Sequence, residues 1–106
     1  MKYGLKDKYI SELTDILRRI PDIERVVLYG SRARGDYYYG SDIDICLYGD
    51  KITDRDLTHI STMLYDSRIP YFFDVVVSSR LRNEAFIRDI QRDGVEIYNA
   101  STAANA

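Results

Sequence analysis

The chain has 106 residues, 45% of them hydrophobic and 30% charged, which suits one compact folded domain and excludes a disordered chain. A formal net charge of −2 excludes a protein that grips nucleic acid through bulk positive charge, so no direct nucleic-acid binding is expected. Cys46 is the only cysteine, which excludes an internal disulfide; with no apolar run long enough to span a membrane and no secretory h-region after Met1, a cytoplasmic protein is expected.

In chain order, Leu5, Tyr9, Leu13, Ile16, Leu17 and Ile20 recur at spacings of three and four, which predicts an amphipathic helix ended by Pro21. The apolar, β-branched run at 24–29 predicts a strand. Ser31 then opens a short helical turn that Gly35 closes. A second strand is predicted over 43–48, stopped by Gly49 and Asp50. Thr53 and Asp56 have the spacing of a capping box, and behind them Leu57, Ile60, Met63 and Leu64 predict another amphipathic helix. Pro70 precedes a strand over 71–77. A further helix is predicted over 81–92, with Ala85, Phe86 and Ile90 turned inward and Gly94 just past its end. A short last strand follows over 95–98. One domain over 1–98 is expected, with a flexible tail over 99–106. The alternation of helix and strand implies an α/β or α+β domain with a small mixed sheet.

The chemistry is concentrated in one stretch. Gly30-Ser31 is followed by ten residues and then by Asp42-Ile43-Asp44. Side chains alternate along a strand, so Asp42 and Asp44 project to one face and Ile43 and Ile45 to the other. Two carboxylates about 4 Å apart repel by about 4 kcal/mol at an effective dielectric of about 20. A third acid, Asp74, interrupts the apolar run Phe72-Phe73-Asp74-Val75-Val76-Val77 and adds to that cost. A divalent cation would cancel the charge, and magnesium prefers carboxylate oxygens while leaving positions for substrate phosphates. The plain alternatives are a turn or helix cap for Asp42 and Asp44, and a salt bridge to an arginine for Asp74.

The turn before the acids suits a phosphate. Gly30 follows a strand and Ser31 begins a helical turn, which offers backbone N–H groups and a positive helix end to an anion. The Ser31 hydroxyl can donate a hydrogen bond, and Arg32 and Arg34 could add charge-assisted contacts. Both arginines would otherwise be solvated surface. Tyr37, Tyr38 and Tyr39 stand between the turn and the acids; their rings either pack on the domain surface, stack on a base, dock a partner or accept a nucleotidyl group. His59 is read as a surface residue and Cys46 as a small buried apolar one. Arg80, Arg82, Arg88 and Arg92 read as a solvated face, with docking of an acidic partner as the alternative.

With these residues in place, the chain resembles the nucleotidyltransferase superfamily that includes DNA polymerase β, and within it the minimal nucleotidyltransferase antitoxins of the MntA type encoded beside a HEPN-domain toxin. Gly30, Ser31, Asp42, Asp44 and Asp74 each match the pattern, as does the longer string Gly30-Ser31-Arg32-Ala33-Arg34-Gly35 with Ser41-Asp42-Ile43-Asp44. The stretch Ile90-Gln91-Arg92-Asp93-Gly94-Val95-Glu96-Ile97-Tyr98 is similar to the family's last helix and strand. The resemblance implies a nucleotidyltransferase fold with helices mainly on one face of a small mixed sheet. It implies two magnesium ions held by Asp42, Asp44 and Asp74, with Asp74 also activating the acceptor hydroxyl. Gly30, Ser31, Arg32, Arg34 and Ser41 would hold the phosphates. It further implies transfer of AMP from ATP to a hydroxyl, a tyrosine of a partner HEPN toxin, which silences the toxin. A small chain without an acceptor domain is expected to take its acceptor from another protein or a second copy of itself. The competing readings are a binding module that neutralises a partner by contact, and a transferase that modifies a small molecule such as an antibiotic.

Overall fold

A computed structural model describes residues 1–104. Helix α1 spans Asp7–Arg18 and strand β1 Arg25–Tyr29; the short helix α2, Gly30–Arg34, follows without a break. Strand β2 spans Ile43–Tyr48, helix α3 Asp54–Tyr65 and strand β3 Phe73–Val77. A single 3₁₀ turn, Ser78–Arg80, leads to helix α4, Glu84–Asp93, strand β4, Val95–Asn99, and helix α5, Ala100–Ala104. Thr53 caps α3 in a full capping box: its hydroxyl accepts from Asp56 N at 3.1 Å, and the Asp56 carboxylate accepts from Thr53 N at 3.0 Å.

The four strands form one mixed sheet in the order β3-β2-β1-β4. Strand β1 pairs antiparallel with both β2 and β4. Strands β2 and β3 run parallel, which requires a crossover, and α3 makes it. The two central strands are apolar along nearly their whole length because both their faces are covered.

The larger core lies on one face of the sheet. There Val26, Leu28, Ile43, Ile45 and Leu47 meet Leu13, Ile16 and Leu17 of α1 and Ile60 and Leu64 of α3. The other face carries Val27, Tyr29 and Cys46 against Ile90 of α4, with Tyr48, Val76, Leu81 and Phe86 around them. The helices therefore lie mainly on one face, and α4 alone covers part of the other.

Several boundaries differ from expectation. Leu5 is buried but lies outside α1, in a β-bridge with Lys2. Ala85 faces solvent rather than inward, and Phe86 and Ile87 are the partly buried residues of that turn. Helix α4 starts at Glu84 because Asn83 caps it, its side chain accepting from Phe86 N at 3.0 Å. The expected tail begins with the last residue of β4 and the short helix α5, held at its start by Ala100 N donating to Glu24 O at 2.9 Å. The tail's residues 105 and 106 lie outside the described residues. No helix among the described residues is long and apolar enough to cross a membrane.

Replacing Thr53 by Ala removes one half of the capping box and is expected to cost about 1 kcal/mol. Thermal or urea denaturation reads this as a lower midpoint with an unchanged slope.

Candidate active site

Strand pairing assembles a row of three polar side chains across the second face of the sheet. In the antiparallel pair Tyr29 stands opposite Asp44, and in the parallel pair Asp44 stands beside Asp74. The next row is Val27, Cys46 and Val76. Helix α4 covers that apolar row with Ile90, and its Phe86 reaches the Tyr29 ring. Asp44 is half-buried and Asp74 exposed, and Asp42, one residue before β2, is exposed on the same side.

Tyr29 is the member of this row that sequence reasoning missed. It is buried, its ring meets Phe86 edge-on at 5.5 Å between centroids, and its hydroxyl donates to Asp74 Oδ2 at 3.3 Å. Burial, and then the Asp74 and Asp44 carboxylates, push the Tyr29 phenol well above its ordinary range. The signal was present in the alternation of β1: Tyr29 shares parity with Val27 and ends the strand that enters the glycine-serine turn.

The electrostatics of the acids follow from their placement. Burial raises the Asp44 carboxyl above the usual carboxylate range, and the negative charges of Asp74 and Asp42 raise it further. Arg34 and Arg32 pull it back in part. Such a row binds protons or cations more readily than an isolated carboxylate would. The donor set is all oxygen, which fits magnesium. Among the described residues no three His, Cys, Asp or Glu side chains are gathered tightly enough to form a ready-made metal cluster. The acids share a row and a face without converging on one point.

Gly30 has a packing role of its own. In the folded chain a β-carbon there would collide with the Asp44 carboxylate. Its φ of +74° is also one that L side chains rarely adopt. Tyr29 is extended just before it, so Gly30 turns the chain from strand to helix while Asp44 lies against its backbone. No side chain caps the start of α2 among the described residues, which leaves its first N–H groups free of a protein side-chain partner. Ser31 is half-buried, and its carbonyl closes the turn by accepting from Gly35 N at 2.8 Å and Asp36 N at 3.1 Å.

The two arginines part company. Arg34 is exposed, pairs with Asp36 at 3.2 Å and stays close enough to influence Asp44. Arg32 was expected to reach phosphates or solvent and does neither. It is 2% exposed, and all its guanidinium nitrogens are engaged within the protein. Ser41 is likewise occupied inside the loop: its carbonyl accepts from Arg32 and its hydroxyl from Tyr38 N at 2.8 Å. Arg32 departs from the phosphate-binding role expected of it, because loop closure engages every guanidinium nitrogen, whereas the Ser41 hydroxyl keeps its own O–H to donate.

Of the three loop tyrosines only Tyr37 packs, against Gly4 and Arg32, while Tyr38 and Tyr39 project into solvent. His59 is exposed and Cys46 buried, as expected. Arg80 pairs with Asp54 at 2.7 Å, and Arg92 with Asp89 and Asp93. An apolar groove of about 360 Å³, lined by Leu64, Tyr65, Ile69, Phe73 and Val75, lies on the face of β3 opposite Asp74.

A family model described as polymerase beta, nucleotidyltransferase, matches residues 11–103. The chain belongs to this nucleotidyltransferase family. No curated protein matches it in sequence. Among solved structures, this nucleotidyltransferase domain is similar to a chain of a toxin-antitoxin crystallised with AMP-PNP: 18% identity, 85% of this chain and 73% of that one covered, TM-score 0.68. It is also similar to a chain from a complex of tri-AMPylated Shewanella oneidensis HEPN toxin with MNT antitoxin, with 14% identity, coverage of 95% and 78%, and TM-score 0.67. A third is the toxin-antitoxin MntA-HepT, with 16% identity, coverage of 92% and 76%, and TM-score 0.59. At these identities the likeness is one of fold.

A Gly30→Ala change sets a β-carbon against the Asp44 carboxylate at a left-handed backbone position. It is expected to lower stability by roughly 1–3 kcal/mol, read by thermal denaturation.

Proposed function

We propose that the chain transfers AMP from ATP to a hydroxyl of a partner protein, a tyrosine of a HEPN-type toxin, and acts as its antitoxin. The observation that carries this reading is the row of Asp44 and Asp74, with Asp42 on the same side, directly beside the Gly30-Ser31 turn. Membership of the nucleotidyltransferase family supports the reaction class. The fold neighbours crystallised with AMP-PNP and with an AMPylated HEPN toxin support the nucleotide and the partner.

In this reading Asp42, Asp44 and Asp74 hold two magnesium ions. When bound, these ions would neutralise the carboxylates and the triphosphate and stabilise the charge that builds on the leaving group. The remaining work falls to the chain. The free N–H groups at the start of α2 and the Ser31 hydroxyl hold the terminal phosphates, and Arg34 adds positive charge from the edge of the site. The acceptor hydroxyl loses its proton to Asp74 as its oxygen bonds to the α-phosphorus. The bond from that phosphorus to the β-phosphate oxygen breaks, and pyrophosphate leaves. Tyr29 holds Asp74 through its hydroxyl and keeps one carboxylate oxygen oriented. Tyr38 and Tyr39, exposed in the loop before the acids, offer rings that a base or a partner can meet.

The test uses ATP labelled at the α-phosphate and, separately, at the γ-phosphate, with magnesium and extract of the source cell. A protein band labelled from the α position alone is the expected result, and Asp44→Asn is expected to reduce it by about 100-fold or more. Equal labelling from the γ position, or an Asp44→Asn protein that neutralises its partner without labelling it, would overturn the reading. The second outcome would leave a module that acts by contact.

A further inference from the structure

We propose that Arg32 is a positioning residue of the nucleotidyltransferase site, a buried clamp that fixes Asp42 and Asp44 by gripping the carbonyl immediately before them. The inference rests on the reading of those acids given above. Arg32 Nε and Nη2 both donate to Ser41 O, at 3.0 and 2.8 Å. Nη1 points the other way and donates to Tyr3 O at 3.0 Å. The guanidinium lies 4.5 Å from the centre of the Tyr71 ring and 5.2 Å from that of Tyr37. One side chain thus ties together the N-terminal segment, helix α2, the loop before β2 and the approach to β3.

The geometry explains why this residue is an arginine. A buried charge is costly unless its hydrogen-bonding capacity is used, and here every contact is a carbonyl or an aromatic ring, with no carboxylate. A planar fork can grip one oxygen with two N–H groups and a second oxygen on its far side. Lysine has neither the fork nor the flat face that rings accept. The gripped carbonyl belongs to Ser41, whose peptide bond leads into Asp42. From there Ile43 N donates to Phe72 O at 2.9 Å, which joins this end of β2 to the approach to Asp74. A loop residue held this way sets where β2 begins and hence where two of the three acids stand. The stretch Asp36–Gly40 before it is exposed, so Arg32 is the buried anchor of this end of the loop.

A phosphate-binding arginine and a positioning arginine fail differently. Loss of a phosphate contact raises KM for ATP. Loss of the clamp lowers kcat, since small misplacements of reacting groups can reduce rate by about 100-fold. The variants are Arg32→Lys, Arg32→Met and Tyr37→Leu, with circular dichroism and thermal melts to normalise each rate to folded protein. The readouts are kcat, KM for ATP, and Mn²⁺ affinity measured by electron paramagnetic resonance on the protein without nucleotide. Arg32→Lys and Arg32→Met are expected to lower kcat per folded molecule at least about tenfold and to weaken Mn²⁺ binding, with KM for ATP within about twofold of wild type. Tyr37→Leu removes one ring face and keeps the hydrogen bonds, so a fall of roughly two- to fivefold is expected.

A raised KM with wild-type kcat would overturn the proposal in favour of direct phosphate contact. Wild-type kcat and Mn²⁺ affinity per folded molecule would overturn it in favour of a purely structural arginine. Should both Arg32 variants fail to fold, a folded Tyr37→Leu protein with wild-type kcat and Mn²⁺ affinity overturns it. A wild-type protein that neither transfers AMP nor binds Mn²⁺ removes the functional reading and the clamp together. Normal transfer by Arg32→Lys removes the clamp alone.

Discussion

The register of three strands is the constraint on which the rest of this molecule depends. Tyr29, Asp44 and Asp74 are separated by long stretches of sequence and become neighbours only because β1 pairs antiparallel with β2, and β2 parallel with β3. Each shift of one residue in a strand sends its side chains to the opposite face. A slip of β3 by one position would place Asp74 over the apolar core and Phe73 or Val75 beside Asp44. The larger core opposes that slip, since Phe73 and Val75 of β3 pack against it beside Ile43, Ile45 and Leu47 of β2. The hydrophobic pattern on one face therefore fixes the placement of charge on the other.

That placement works against the fold locally. Asp44 is half-buried, flanked by like charge, and its carboxyl is raised above its ordinary range. Folding brings the acids together without fully relieving them. Arg34 compensates from the edge, and Tyr29 donates one hydrogen bond to Asp74. Local electrostatic cost of this kind is typical of sites shaped for a ligand, where burial and like charges combine to perturb a titration.

Two glycine and arginine positions show how the site is supported from behind. Gly30 gives up its side chain so that the Asp44 carboxylate can lie against the turn. The turn and the acid are thereby in direct contact, although twelve residues separate Ser31 from Asp44 in the chain. Arg32 takes up the slack of that loop from inside, between two tyrosine rings. Its immediate neighbour in kind, Arg34, stays on the surface. The two arginines of this short helix point in different directions because α2 advances by about 100° per residue, so positions two apart face away from each other.

The sequence by itself determined what depends on neighbours in the chain. Periodicity delivered the helices and strands in order, Thr53 with Asp56 delivered the capping box, and alternation placed Asp42 and Asp44 on one face with Cys46 buried further along. The spacing from Gly30-Ser31 to Asp42 and Asp44 already singled out the residues on which the proposed chemistry rests. Ala85 faces solvent because the inward stripe of α4 is formed by Phe86, Ile87 and Ile90, and Ala85 lies just outside it. Tertiary structure alone decided the strand order, the parallel pairing of β2 with β3, the covering of the second face by α4, and the entry of Tyr29 into the row of acids. It also decided the fates of Gly30 and Arg32. Local pattern reports which face a residue occupies; which residue it meets there depends on hydrogen bonds and packing between segments far apart in the chain.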